Sequence, residues 1–220
     1  MKHMIINWKG QSCFQISTTP IKNGTVSLVI DPFDEGLGLK VPKLQADILM
    51  ISHDHKDHSN TKAVSGEYLL IDGPGEYDVK TIFIQGIDSF HDNVEGKEKG
   101  VNTIYVIESE DIRVCHLGDL GQKELTTEQL EKIGDVDILI IPIGGTYTLD
   151  SDEAVKIMSQ IEPKIIIPMH YHIPGLKLKI DGVDSFLKSL GIKKIETLPK
   201  LTIKKKDIST EEVKIIQLEP

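Results

Sequence analysis

Five apolar runs in this chain end on histidine or aspartate. Ile30 runs into Asp31, Ile51 into Ser52-His53, Phe90 into His91, Leu117 into Gly118-Asp119, and Met169 into His170. The runs read as strands. In sheets covered by helices, the C-terminal strand ends are where a rigid scaffold meets the loops that carry chemistry. The chain must therefore adopt a fold in which polar groups from separate strands can meet.

The first half reads as short strands between turn residues: Met4 to Trp8, Cys13 to Ser17, Val26 to Ile30, Asp47 to Ser52, Tyr68 to Ile71, Thr81 to Ile84, Thr103 to Ile107 and Ile112 to His116. The second half alternates. Thr126 to Ile133 is an expected helix, with Thr126 and Gln129 spaced as a capping box and Gly134 as a stop. Asp137 to Ile143 is a buried strand. Asp150 to Ile161 is a second helix, capped by Asp150 with Glu153, and Lys164 to Met169 is a strand. Asp181 to Leu190 has apolar residues at i, i+3, i+4 and i+7 and stops at Gly191. Val213 to Leu218 is a last strand. No repeat or linker breaks the chain, so a single domain over 1–220 is expected.

The 220 residues and 39% hydrophobic content allow one sizeable core. The net charge of -9 disfavours general nucleic-acid binding. No basic start precedes a long apolar stretch in Met1 to Trp8, and no apolar run approaches the ~20 residues a membrane span needs. Two cysteines, Cys13 and Cys115, do not make a disulfide framework. Reduced thiols, a cytoplasmic location and no membrane partner are expected.

The segment His53-Asp54-His55-Lys56-Asp57-His58 carries the chemistry. With 8 histidines in 220 residues, chance is a poor explanation for it. A helical metal pair needs histidines at i and i+4. Here His53 and His55 stand at i and i+2, which suits an extended or loop backbone. Imidazole and carboxylate together suit Zn, Mn, Fe or Ni. The bland alternative is a solvated His-rich turn, and the further ligands at strand ends count against it.

The chain resembles the metallo-β-lactamase superfamily. The resemblance rests on the His53 to His58 motif, on His91 in Ser89-Phe90-His91-Asp92, and on Asp119 in His116-Leu117-Gly118-Asp119-Leu120. His170 in Ile167-Pro168-Met169-His170-Tyr171 and the early Asp31 complete it. Within the superfamily the chain looks like the small stand-alone branch that includes ascorbate-6-phosphate lactonase-like proteins. The resemblance implies an α/β fold, an αββα sandwich with two mixed sheets between helical layers. It implies two divalent metal ions, zinc first, with Mn, Ni or Fe as alternatives. His53, His55 and His91 would hold one ion, and Asp57, His58 and His170 the other. Asp119 would bridge them, and Asp31 would support the metal loop. His116 competes with His91 for the third place in the first site. Family order favours His91 and leaves His116 beside the metals, near the substrate, or as a packed histidine.

The implied activity is hydrolysis of an ester, lactone or phosphoester of a small molecule by activated water, with Asp57, Asp119 and His116 as candidate catalytic residues. Tyr171 and His172 are further proton donors by proximity only, and loop packing is the commoner role for such neighbours. Three other readings compete. An iron redox enzyme on this scaffold would carry Glu where this chain has His55. A nuclease would need a basic exosite. A non-catalytic member would lack ligands. Gly144-Gly145-Thr146-Tyr147 either presents backbone N–H groups to a substrate or is a plain turn. Gly73-Pro74-Gly75-Glu76-Tyr77 reads as structural, and Lys204-Lys205-Lys206 as a solvated run.

Overall fold

In the computed structural model, residues 3–21, 24–209 and 211–220 are described. Met1 and Lys2, at the head of the segment read above as lacking an apolar leader, lie outside them. The first part of the chain supplies β1 (Met4–Trp8), β2 (Phe14–Ile21), β3 (Gly24–Ile30), β4 (Leu44–Gln45), β5 (Ile48–Met50), β6 (Val64–Ser65), β7 (Leu69–Ile71), β8 (Gly75–Val79), β9 (Ile82–Phe90) and β10 (Val101–Ser109). The rest supplies β11 (Ile112–His116), α1 (Thr127–Ile133), β12 (Ile138–Pro142), α2 (Ser151–Ile161), β13 (Ile165–Met169), α3 (Val183–Ser189), β14 (Glu196–Leu198), β15 (Leu201–Ile203) and β16 (Lys214–Leu218).

Among the described residues these strands form two large mixed sheets and one short ladder, β4 with β6. One sheet runs β15-β1-β2-β3-β5-β7, the other β14-β16-β13-β12-β11-β10-β9-β8. Each sheet has an antiparallel part and a parallel part. β3, β5 and β7 are parallel neighbours, as are β11, β12, β13 and β16. The fold is the expected α/β sandwich of two mixed sheets. The α-helices connect strands of the second sheet, whereas 3-10 turns and the short ladder serve the connections of the first.

Burial explains this arrangement. β1 alternates, with Met4, Ile6 and Trp8 turned into the core. β12 and β13 are buried at every position and so are covered on both faces. α2 buries Ala154, Ile157 and Ile161 along one stripe. Both expected capping boxes form, Thr126 with Gln129 and Asp150 with Glu153. Replacing Asp150 with Ala is expected to destabilise the fold by about 1 kcal/mol. Thermal denaturation checks this, as a drop of about 2–4 °C.

Several elements depart from the sequence reading. β9 reaches Phe90, well past the expected Ile84. β8 occupies the Gly75 segment read only as structural, and β14 and β15 were not expected. The β8–β9 hairpin turns on Lys80 and Thr81, both at positive φ. Such turns usually announce themselves with Asn-Gly or Asp-Gly, and Lys-Thr carries no such signal. Lys205 is not simply solvated, since its Nζ lies 2.6 Å from Asp137 Oδ2. Among the described residues no helix is long and apolar enough to cross a membrane. Cys13 and Cys115 are free and buried, and burial pushes the Cys115 thiol up to about 12.

Candidate metal centre

Parallel strands β3 and β5 set the first part of the site. β3 ends at Ile30, and Asp31 follows in the left-handed region, completely buried. β5 ends at Met50, and the chain then enters the motif loop. That loop is tied by Ser59 Oγ to Asp54 and to the His55 carbonyl, and by Asn60 to the Pro32 and Phe33 carbonyls. It is a turn-rich loop, one of the two backbones that the i, i+2 spacing suits.

Asp31 orders two of the loop's imidazoles. Its carboxylate accepts from the Ser52 N–H and hydroxyl, each at 2.7 Å, and from His58 Nδ1 at 3.0 Å. The Ser52 hydroxyl proton is committed to Asp31, so its oxygen accepts from His53 Nδ1 at 2.9 Å. Both rings therefore spend Nδ1 on support and turn Nε2 inward. His53 Nε2 and His58 Nε2 are buried and have no hydrogen-bond partner.

The remaining ligands come from the second sheet. His91 follows β9, and its loop is folded around Asp92, whose buried carboxylate accepts backbone N–H bonds from Val94, Gly96, Glu98 and Lys99. These bonds hold the Asp92 carboxyl below the usual range. Asp119 follows β11, and its N–H donates to Asn102 Oδ1 at 2.9 Å. Gly118 sits at φ 57, pressed so close to Asn102 and Ser52 that a Cβ would fall 2.3 Å from Asn102 Oδ1. His170 follows β13, also at positive φ.

The seven candidate ligands fall into two groups. His53, His55 and His91 present ligand atoms within 4.8 Å of one another, and so do Asp57, His58, Asp119 and His170. Asp119 touches both groups. Its Oδ2 lies 3.2 Å from His58 Nε2, 3.2 Å from His170 Nε2 and 3.4 Å from His91 Nε2. One carboxylate oxygen has two lone pairs, so hydrogen bonding does not account for three imidazoles. Nitrogen and oxygen donors crowded this way fit cations placed between them. The burial of five of the seven, the unmet Nε2 atoms and the donor chemistry suit divalent transition metals.

The electrostatics follow from the crowding. Burial, and then His58, push His53 down to about 3, so it stands neutral with a lone pair available. Burial opposes a charge on His58, but Asp119 and Asp31 outweigh it and hold its pKa well above the ordinary value. Burial alone would raise Asp119, and His170 and His58 instead keep it well below the usual carboxylate range. A cation bound beside Asp119 would compete with the proton that the Asp119 and Asp31 carboxylates favour on His58.

His116 lies outside both groups. Its Nε2 is 3.0 Å from the Ser12 carbonyl, and its Nδ1 accepts the Gly118 N–H at 3.1 Å. The acceptor at Nδ1 fixes the tautomer, so Nε2–H donates to Ser12. Both ring nitrogens are thus engaged by backbone groups, which suits the packed histidine among the roles expected for His116. Tyr171 is equally committed to packing. It is buried against Trp8, with ring centroids 5.0 Å apart, and its hydroxyl accepts from Gln217. His172 is exposed on the loop beyond. In the Gly144 to Tyr147 segment the N–H groups of Gly145 and Tyr147 bond within the loop, as in a turn.

Sequence reasoning overlooked Gln11, Ser12 and Asn102. Gln11 Nε2 donates to Asp57, Ser12 Oγ donates to Asp119, and Asn102 holds the Asp119 backbone. A neutral polar pair in a strand turn carries no metal-type signature, and only Gly10 before it marks the turn.

A cavity of about 180 Å³ opens beside His91, with Lys99, Lys123 and Tyr147 among its lining residues. A wider apolar groove of about 900 Å³ runs past Met158, Leu190 and Val213 and contains none of the ligands. Chemistry, not volume, locates the site. Replacing Asp31 with Asn is expected to lower metal affinity about 10–100-fold, because it weakens the support of His53 and His58 together. Competition with a chromogenic chelator measures that.

Residues 5–170 match a family model described as a beta-lactamase superfamily domain. A UPF0173 metal-dependent hydrolase of Thermococcus onnurineus is 27% identical over 194 residues, covering 76% of this chain and 84% of that protein. A UPF0173 protein of Pyrococcus abyssi is 32% identical over 195 residues, covering 78% and 85%. A Thermotoga maritima crystal structure, described as a candidate Zn-dependent hydrolase of the metallo-beta-lactamase superfamily, superposes with a TM-score of 0.78. It is 37% identical, with 98% of each chain covered. On the span of these matches and the fold they share, the chain belongs to the metallo-beta-lactamase superfamily.

Proposed function

We propose that this chain is a metal-dependent hydrolase that holds two divalent ions and cleaves an ester, lactone or phosphoester bond of a small molecule with activated water. The observation that carries the reading is the convergence of three imidazole nitrogens, those of His58, His91 and His170, on Asp119 Oδ2, with the buried and unmet Nε2 of His53 beside them. His53, His55 and His91 would hold one ion, and Asp57, His58 and His170 the other, with Asp119 between. Zinc suits this donor set best, and Mn, Ni and Fe suit it next. When bound, such a pair supplies a nucleophile at neutral pH and polarises a carbonyl or phosphoryl oxygen.

The chain's own groups do the rest. Ser12 Oγ holds Asp119 Oδ1 at 3.2 Å, so the carboxylate cannot swing away from the imidazoles. Asp57, partly exposed at 26%, is the group nearest solvent in its cluster; burial opposes its charge, but His58 outweighs burial and keeps the carboxyl below the usual range, ionised and ready to hold a cation. Asp31, Ser52 and Asn102 keep the rings and the Asp119 backbone in place. The cavity beside His91 offers room for part of a small substrate. An overall charge of -9 gives no general attraction for nucleic acid. A cytoplasmic setting belongs to this reading, since a reducing compartment suits two free cysteines.

The test is hydrolysis of a panel of small esters, lactones and phosphoesters by the purified chain. Turnover that a chelator abolishes and added Zn or Mn restores is the expected result. Turnover indifferent to chelation would overturn the reading, and cleavage confined to nucleic acid would replace the substrate class.

A further inference from the structure

The turn between β1 and β2 enters the ligand cluster. Gln11 is completely buried and stands at φ 53, in the left-handed region. Its Nε2 donates to Asp57 Oδ2 at 3.2 Å. Its carbonyl accepts from Trp8 Nε1 at 2.8 Å and from the His170 N–H at 3.1 Å. Ser12 follows and donates to Asp119. Two consecutive residues thus touch three of the four members of the second ligand group, and the fourth, His58, is held from the other side by Asp31.

The Gln11 amide has one orientation open to it. A carboxylate oxygen only accepts, so the NH2 end must face Asp57. The Oε1 end then meets no partner, although it is buried. An unmet buried acceptor and a non-glycine residue in the left-handed region are both local costs. Packing does not require the unmet acceptor, because an apolar side chain of similar length would fill the space without one. Nor does Gln11 touch the first group: its side-chain bond goes to Asp57, and its backbone bond to His170.

We infer that Gln11 is a positioning residue for the second metal. Its N–H occupies one oxygen of Asp57 and so fixes how the carboxylate faces the cation, while its carbonyl fixes His170. Uptake at the second group then depends on Gln11, and uptake at the first does not. This rests on the two-metal reading above.

Zinc titration of the metal-free chain by calorimetry tests it, with Gln11→Met compared to the unaltered protein. Met matches the length of Gln and can neither donate nor accept strongly. The unaltered chain is expected to take up two equivalents. In Gln11→Met one of the two steps should be unchanged and the other weakened by about tenfold or more. A merely structural role would weaken both steps together, and that outcome overturns the inference, as do two unchanged steps. Should Gln11→Met fail to fold, Gln11→Asn keeps an amide but falls one methylene short of Asp57, and the same selective loss is expected. An unaltered chain that binds only one equivalent contradicts the two-metal reading and this inference with it. Two equivalents with no selective loss contradict the role of Gln11 alone.

Discussion

Asp119→Asn is expected to lower turnover by more than about a hundredfold while the chain stays folded. Loss of a group that merely orients a ligand costs about 10–100-fold, and Asp119 does more than orient. Its Oδ2 lies within 3.2–3.4 Å of His58, His91 and His170, which belong to both ligand groups. Asn keeps the shape and can still accept from Ser12 Oγ, so packing survives. It loses the charge that draws cations between the imidazoles. His58 would also lose one of the two carboxylates that hold its pKa up. Steady-state kinetics with metal in excess, alongside a circular dichroism spectrum, check both halves. Turnover within a few-fold of the unaltered chain would remove Asp119 from the centre of the mechanism.

The second large effect is on stability. Gly118→Ala is expected to destabilise the chain by about 3 kcal/mol or more, combining left-handed strain with overpacking. Gly118 stands at φ 57, and a Cβ there would lie 2.3 Å from Asn102 Oδ1 and 2.7 Å from Ser52 Cβ. Neither neighbour is free to move. Asn102 bridges Ser89, the Leu117 carbonyl and the Asp119 N–H, and Ser52 is fixed to Asp31. The clash therefore reaches metal binding as well as folding. A fall in melting temperature of about 6–12 °C is the expected reading, and a fall below about 2 °C would mean the strand-end packing is looser than described.

Much of this site was legible from strand ends. Asp31, His53, His91, Asp119 and His170 each follow an apolar run, and burial on one or both faces makes such runs visible in a sequence. The helices α1 and α2 were legible for a local reason, since each capping box lies within four residues, and α3 was legible from its apolar periodicity. What stayed hidden depends on contacts distant in the chain. The choice between His91 and His116 turns on which ring nitrogens the backbone claims, and Ser12 lies 104 positions from His116. Gln11 reaches Asp57 across 46 positions, and nothing in Lys9-Gly10-Gln11-Ser12 announces that bond. The hairpin at Lys80-Thr81 places non-glycine residues at positive φ, so turn chemistry gave no warning of β8. β9 also runs through Gly86, which reads as a break. Its missing side chain instead lets Gly73 and Pro74 pass close by.

The central claim is that this centre holds metal, and elemental analysis of the purified, untagged protein tests it most directly. About two equivalents of Zn, Mn or Ni per chain is the expected result. Bound iron would bring the redox reading forward. Near-zero metal that added Zn or Mn does not restore would contradict the account.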